Sequence, residues 1–197
     1  MKKMLFLAIT LFLAGGVLYA QTQPLSKKEQ RAADRAARKA QREAQKRAAA
    51  IHDQLLFEAA VDALKNKSFV LEVDRLEFKR GRMMNVQSNT NFISVDNDRA
   101  VIQVAFPFGI SGPNGIGGIT VEGVPSGVEM STDKDGTVRL KMMVQGVAVS
   151  ARVDLLVYPG SNSAVATIFP NFNSNRLTVS GYLYPVGEAH IFKGRSL

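Results

Sequence analysis

The stretch "TVRLKMMVQGVAVSARVDLLVY", Thr137 to Tyr158, decides the fold. In its first half Val138, Leu140, Met142 and Val144 alternate with Thr137, Arg139, Lys141, Met143 and Gln145. After Gly146 the alternation resumes, with Val147, Val149, Ala151, Val153, Leu155 and Val157 set against Ser150, Arg152 and Asp154. Side chains of a strand point to opposite faces in turn, so a period of two marks a strand with one buried face. The stretch therefore predicts two strands separated by Gly146.

The same test extends outward with less purity. SFVLEVDRLEFK alternates through Phe69, Leu71 and Val73, then shifts phase to Leu76 and Phe78. A phase shift within one run predicts a β-bulge near Asp74-Arg75. NFISVD and RAVIQVAF flank a hairpin turn at Asp96-Asn97-Asp98, Asp135-Gly136 marks a second turn, and Pro159-Gly160-Ser161-Asn162 a third. GITVEG, SGVEMST, AVATIFP and NRLTVSGYLYP supply further strands. Short strands of this kind, with turns about every 8–12 residues, predict an all-β domain over residues 67–197. It is either a β-sandwich or a small lipocalin-like antiparallel barrel.

A different pattern precedes it. From Ser26 to Asn66 the chain is rich in Ala, Arg, Lys, Gln and Glu, with no Gly or Pro, and reads as one long helix. Ser26 and Glu29 stand at capping-box spacing. Residues 26–50 carry nine basic side chains against three acidic ones, a net charge of +6. Residues 51–197 hold 14 of each sign and are neutral. The excess positive charge thus belongs to the helix within residues 21–66 and not to the β domain. Ile51, Leu55, Leu56, Phe57, Ala60, Val61 and Leu64 recur at spacings of three and four, an amphipathic stripe expected to dock on the domain. Arg31, Arg35, Arg38 and Arg42 lie in the part with no apolar face but Ala, and are the candidate contacts to an anionic envelope surface. A solvated spacer is the plainer reading of the same residues. Membrane insertion is disfavoured by the lack of large apolar residues there, and nucleic acid by the lack of interleaved aromatics.

Residues 1–20 have the layout of a secretory signal peptide: Lys2 and Lys3, an apolar run from Leu5 to Leu18, and the small Ala20 ahead of Gln21. Cleavage near Ala20 would leave a periplasmic or secreted protein with no transmembrane span. There are no cysteines. Disulfides, thiolate metal sites and a lipid-modified cysteine are thereby excluded.

The densest glycine segment is GISGPNGIGGITVEG, Gly109 to Gly123. A phosphate-cradling loop needs G-x-x-x-x-G-K-S/T, and no lysine follows Gly117-Gly118. The dinucleotide pattern G-x-G-x-x-G fails too, because Thr120 stands at the third glycine and a strand follows. The segment is read as a long loop between strands, with Pro113, Asn114, Gly115, Gly117 and Gly118 as candidate rim residues of a ligand site.

Other chemistries lack their residues. His52 and His190 are isolated from one another, on the helix and in the tail. Asp133-Lys134-Asp135-Gly136 echoes a calcium loop, but Met142 stands where the bidentate glutamate belongs, so a hairpin turn is the better reading. No G-x-S-x-G elbow is present. Asp154 interrupts an apolar run, and reads as a residue of a solvated strand face or a partner for Arg152 or Arg139. No catalytic residue, metal ligand or cofactor is expected. Phe106-Pro107-Phe108, Phe169-Pro170-Asn171-Phe172 and Tyr182-Leu183-Tyr184-Pro185 place aromatics beside prolines at strand ends. With Met83, Met84, Met130, Met142 and Met143 they could line a strand-built cavity for an apolar molecule.

"NFISVDNDRAVIQVAF", "NGIGGITVEG", "PNFNSNRLTVSGYLYP" and "IFKGRSL" together resemble the domain-of-unknown-function family numbered 4251. The resemblance runs from about Phe57 to Leu197 and leaves most of the basic helix outside. It implies an exported, β-rich domain of Gram-negative bacteria of the Bacteroidetes type, and carries no catalytic residues over. Three functions are then in view. The first is a non-enzymatic binding module for an apolar or lipid-like ligand. The second is a structural or interaction protein tethered by its helix, and the last a carboxylate hydrolase of glycans or peptides.

Overall fold

The computed structural model describes residues 26–106, 115–147, 149–171 and 176–196. The proposed signal peptide lies outside them. The chain divides into two compact units, residues 1–43 and 44–197.

One helix, α1, runs from Lys27 to Lys65. Its start carries the reciprocal cap that the sequence predicts. The Ser26 amide donates to Glu29 Oε2 at 2.9 Å, and the Glu29 amide to Ser26 Oγ at 3.3 Å. These bonds to Ser26 hold the Glu29 carboxyl below its usual pKa. In the first unit every described residue is exposed, as an Ala- and Arg-rich segment without an apolar face must be.

In the second unit, the end of α1 buries Ala60, Ala63 and Leu64. Phe57 and Val61 pack against the same core. The predicted stripe is longer than the docked surface. Ile51 is 65% exposed and Leu55 58%. Ile51 lies about 20 Å from Leu64 along a helix axis, so only the last turns reach the core.

Among the described residues nine strands follow: β1 (Ser68–Phe78), β2 (Met83–Asn85), β3 (Phe92–Asp96), β4 (Arg99–Ala105), β5 (Gly118–Thr132), β6 (Val138–Gly146), β7 (Ser150–Val157), β8 (Ser163–Pro170) and β9 (Leu177–Pro185). From β3 to β9 each strand pairs antiparallel with the next. β1 pairs with β3 through Ser68–Glu72 and with the short β2 through Arg75–Glu77, so these two tile one edge of it. The other edge of β1 pairs with β9 from Phe69↔Pro185 to Phe78↔Leu177. That pairing closes the sheet into an antiparallel barrel of eight strands, with β2 as an appendage. It is a ring, not the two facing sheets of the sandwich alternative.

The turns and the bulge fall where the sequence puts them. Asn97 and Gly136 have φ of 55° and 86°, and Gly160 has 79°, all at hairpin tips. The β1–β9 register slips between Val73 and Arg75, at Asp74. Two expectations differ. GITVEG and SGVEMST are one strand, β5, whose register shifts between Ser126 and Glu129. Gly127, at φ 57°, bends a 15-residue strand around the barrel instead of ending it. Val147 is 98% exposed and not on the buried face. The amide of Gly146 bonds to the Val149 carbonyl, which turns the chain tightly and throws Val147 outward.

The barrel interior is filled by the predicted faces: Val138, Leu140, Met142 and Val144 of β6, and Ala151, Val153, Leu155 and Val157 of β7. Leu64 of α1 belongs to this same core, and only Asn66 and Lys67 separate the helix from β1. The helix end therefore closes the barrel where β1 begins.

Residues 186–196 lie on the outside, across β3, β4 and β5. Val186 and Ala189 pack on Val70, Phe92 and Val101. Gln103, only 1% exposed, is the clasp. Its Nε2 donates to the carbonyls of Phe192 at 2.7 Å and Thr90 at 3.0 Å. Its Oε1 accepts from the Gly194 amide at 2.8 Å and the Thr120 hydroxyl at 2.9 Å. Glu122 completes the strap, pairing with Lys193 and Arg99 and accepting from the Ser196 hydroxyl at 2.7 Å. Hydrogen bonds from Lys193 first, then Ser196, lower its pKa to about 2.

Candidate functional site

The end of the barrel opposite the helix is a mouth. Ile102, Val104 and Phe106 reach it on and just after β4, and Ile119 and Val121 on β5. Val149 and Ala151 arrive at the start of β7, Ile168 and Pro170 at the end of β8, and Leu177 at the start of β9. The registers Val104↔Ile119, Ala151↔Pro170 and Ile168↔Leu177 bring these strand ends to one level. Phe78↔Leu177 places them where β1 finishes.

Residues two apart on each strand face inward together, which is why Ile102 and Val104, or Ile119 and Val121, share the wall. They enclose about 140 Å³. Phe78 stacks on Phe106, centroids 6.1 Å apart, and extends the rim. Every described lining side chain is apolar, and no carboxylate or histidine stands among them. Such a surface can sequester an apolar group by removing it from water, but offers no described group to move a proton or bind an ion.

The predicted rim residues fall partly here. Pro113 and Asn114 lie outside the described residues. Gly115 and Gly117 have φ of 78° and 87°, backbone that favours glycine. The Phe106 amide donates to the Gly117 carbonyl at 3.0 Å, so Gly117 borders the mouth. Gly118 starts β5, where an added Cβ would sit 1.8 Å from the Val104 carbonyl oxygen. Only glycine lets the two strands approach there. The methionine expectation needs correction. Met142 is core, whereas Met83, Met130 and Met143 are exposed, and none lines the mouth. Residues at i and i+1 of a strand face opposite ways, so Met142 and Met143 could never share a wall. Of the aromatic–proline groups, Phe106 and Pro170 do line it, while Phe108 and Phe172 lie outside the described residues.

The other candidates lie elsewhere. Arg31, Arg35, Arg38 and Arg42 are exposed on α1, at spacings that hold them to one face. Asp135 binds the amide and hydroxyl of Thr137, both at 3.1 Å, and Asp133 binds Arg139 at 2.6 Å, so this segment is the hairpin turn. Bonding to Thr137 holds the Asp135 carboxyl below its usual pKa. Asp154 pairs with Arg152 at 3.3 Å, and Arg152 in turn lies over the Phe169 ring at 4.2 Å. His52 is exposed on α1, and the His190 amide donates to Glu72 Oε1 at 2.6 Å.

Most of the mouth was missed by sequence reasoning. Ile102, Ile119, Val121, Val149, Ala151, Ile168 and Leu177 read only as strand residues. The available signal was the inward phase of each strand near the end shared with the glycine segment.

The model of a domain of unknown function, DUF4251, matches residues 52–183. The chain belongs to this family. A crystal structure of a DUF4251 family protein from Bacteroides eggerthii is similar, with 45% sequence identity and a TM-score of 0.64. The alignment covers 75% of this chain and 99% of that one. No curated protein matches. The family match starts at His52, so the exposed basic part of α1 lies outside it and the mouth lies within it. Among the described residues no helix is long and apolar enough to cross a membrane.

Proposed function

We propose that this DUF4251 protein is an exported envelope protein, periplasmic or secreted after cleavage near Ala20, that binds an apolar or lipid-like ligand without acting on it chemically. The wholly apolar lining of the barrel mouth carries this reading. At about 140 Å³ the space is of the order of apolar protein cavities that stay dry and admit benzene. It suits the tip of an acyl chain or a compact apolar group, with the rest of the ligand outside. Each methylene taken from water adds about 0.8 kcal/mol.

Titration of the full chain with fatty acids of increasing length tests this by calorimetry. Saturable binding is expected, abolished by Ala151→Leu, which fills the mouth. Absence of binding, or binding that Ala151→Leu leaves unchanged, refutes it.

A second reading is favoured by one observation: Arg31, Arg35, Arg38 and Arg42 share an exposed face. On it, α1 tethers the domain to an anionic surface. Deleting residues 21–50 should then move the protein from the membrane fraction to the soluble one, and added salt should mimic the deletion. An unchanged distribution removes the reading.

A further inference from the structure

A second concavity lies on the outer wall of the barrel, over β8, β9 and β1. On β9, Tyr182 stands opposite Ser163 of β8 and Glu72 of β1, and Ser180 opposite Val165 and Arg75. Tyr158, just past β7, is fastened beside them by the hydrogen bond its amide donates to the Ser163 carbonyl at 3.1 Å. The two tyrosines are 42% and 48% exposed, and the groove they share measures about 200 Å³.

The β1 bulge supplies the polar groups. In an unbroken strand Asp74 and Arg75 would face opposite ways. The slip between Val73 and Arg75 leaves both exposed, on the groove, with Val73 and Leu76 buried on either side. Neither joins any ion pair among the described residues.

We propose that this groove binds a neutral sugar residue of a glycan. A pyranose has faces of C–H groups and a rim of hydroxyls. Tyrosine rings offer an apolar surface to the faces and a polar tip to the rim. A carboxylate accepts from hydroxyls, a guanidinium donates to them, and the hydroxyls of Ser163 and Ser180 do either. The volume matches one sugar ring better than a peptide segment. The adjacent Asp74 and Arg75 cancel in charge, which disfavours phosphate or a carboxylate ligand, and their polarity disfavours a lipid tail. The site is separate from the mouth and stands or falls independently of it.

Tyrosine fluorescence of the full chain provides the test, since there is no tryptophan to mask it and two of the four tyrosines line the groove. The probes are maltohexaose, mannohexaose and xylohexaose at up to millimolar concentration. A saturable change is expected with at least one. Tyr182→Ala should weaken it about tenfold. The double variant Asp74→Asn, Arg75→Gln, at side chains exposed on the bulge, should leave thermal melting unchanged and weaken the response several-fold. No saturable response to any of the three sugars overturns the proposal, as does unchanged affinity in the double variant.

Discussion

The two ends of the barrel are built from the same alternating strands and finish differently. Where β1 begins, the end of α1 inserts Ala60, Ala63 and Leu64 into the core. Where β1 ends, the inward side chains of β4, β5, β7, β8 and β9 meet no helix among the described residues and line an apolar mouth. Bracing near that end comes from outside, through the Gln103 clasp on the strap of residues 186–196. One end is closed by apolar burial, and the other is braced on its outer wall by hydrogen bonds. The difference teaches that strands of one alternating pattern can be packed by a helix at one end and leave an apolar concavity among the described residues at the other.

The strongest way to break this comparison is at the plug. Leu64→Ala should cost about 2–5 kcal/mol in chemical denaturation, because a fully buried leucine leaves a cavity. Leu177→Ala, at the half-open mouth, should cost distinctly less. Equal losses would mean that the ends are equivalent.

Next in size is Gly118→Ala. Its Cβ would meet the Val104 carbonyl at 1.8 Å, forcing β4 and β5 apart at the mouth, at a cost of about 1–3 kcal/mol with ligand uptake impaired. Denaturation together with fatty-acid titration reads both effects. Gln103→Ala comes third. It leaves the Thr90 and Phe192 carbonyls and the Gly194 amide without their partner, for about 1–3 kcal/mol. Protease cleavage of the tail should accelerate while the plugged end stays protected from hydrogen exchange.

Acid gives a smaller effect. The Glu122 carboxyl is held at about 2 in the fold, below its ordinary value, mainly by Lys193. A depressed carboxylate stabilises the fold above its unfolded pKa, and that contribution fades as pH falls toward 2. The strap should therefore loosen between about pH 4.5 and 2, with a contribution no larger than about 1 kcal/mol because the group is partly solvated. Glu122→Gln should flatten the dependence of melting on pH in that window. Smallest is Ile51→Ala, expected within about 0.5 kcal/mol since the side chain is mostly exposed. A larger loss would show that the plug reaches further along α1.

Local rules made much of this legible. The capping box, three hairpin turns and the Asp74 bulge each depend on a few neighbouring residues, and each stands where the residue types require. The β6 and β7 faces were legible because alternation is a property of a single strand. Beside the mouth, glycine was legible where the fold requires it: Gly117 has φ 87°, and Gly118 lies against the Val104 carbonyl. Methionine content misled, because composition carries no direction: Met142 and Met143 point to opposite sides of one wall.

Periodicity and turn chemistry alone thus settled that a helix precedes an antiparallel β domain, and which face of most strands is buried. Whether that sheet closes depended on β1 meeting β9, a pairing between strands more than 90 residues apart in sequence, as Phe69↔Pro185 illustrates. No local pattern encodes such a pairing. It results from both edges having no other partner for their backbone hydrogen bonds. The mouth, the plug and the strapped outer wall all follow from that closure, since each is a relation among strand ends that only the folded chain brings together.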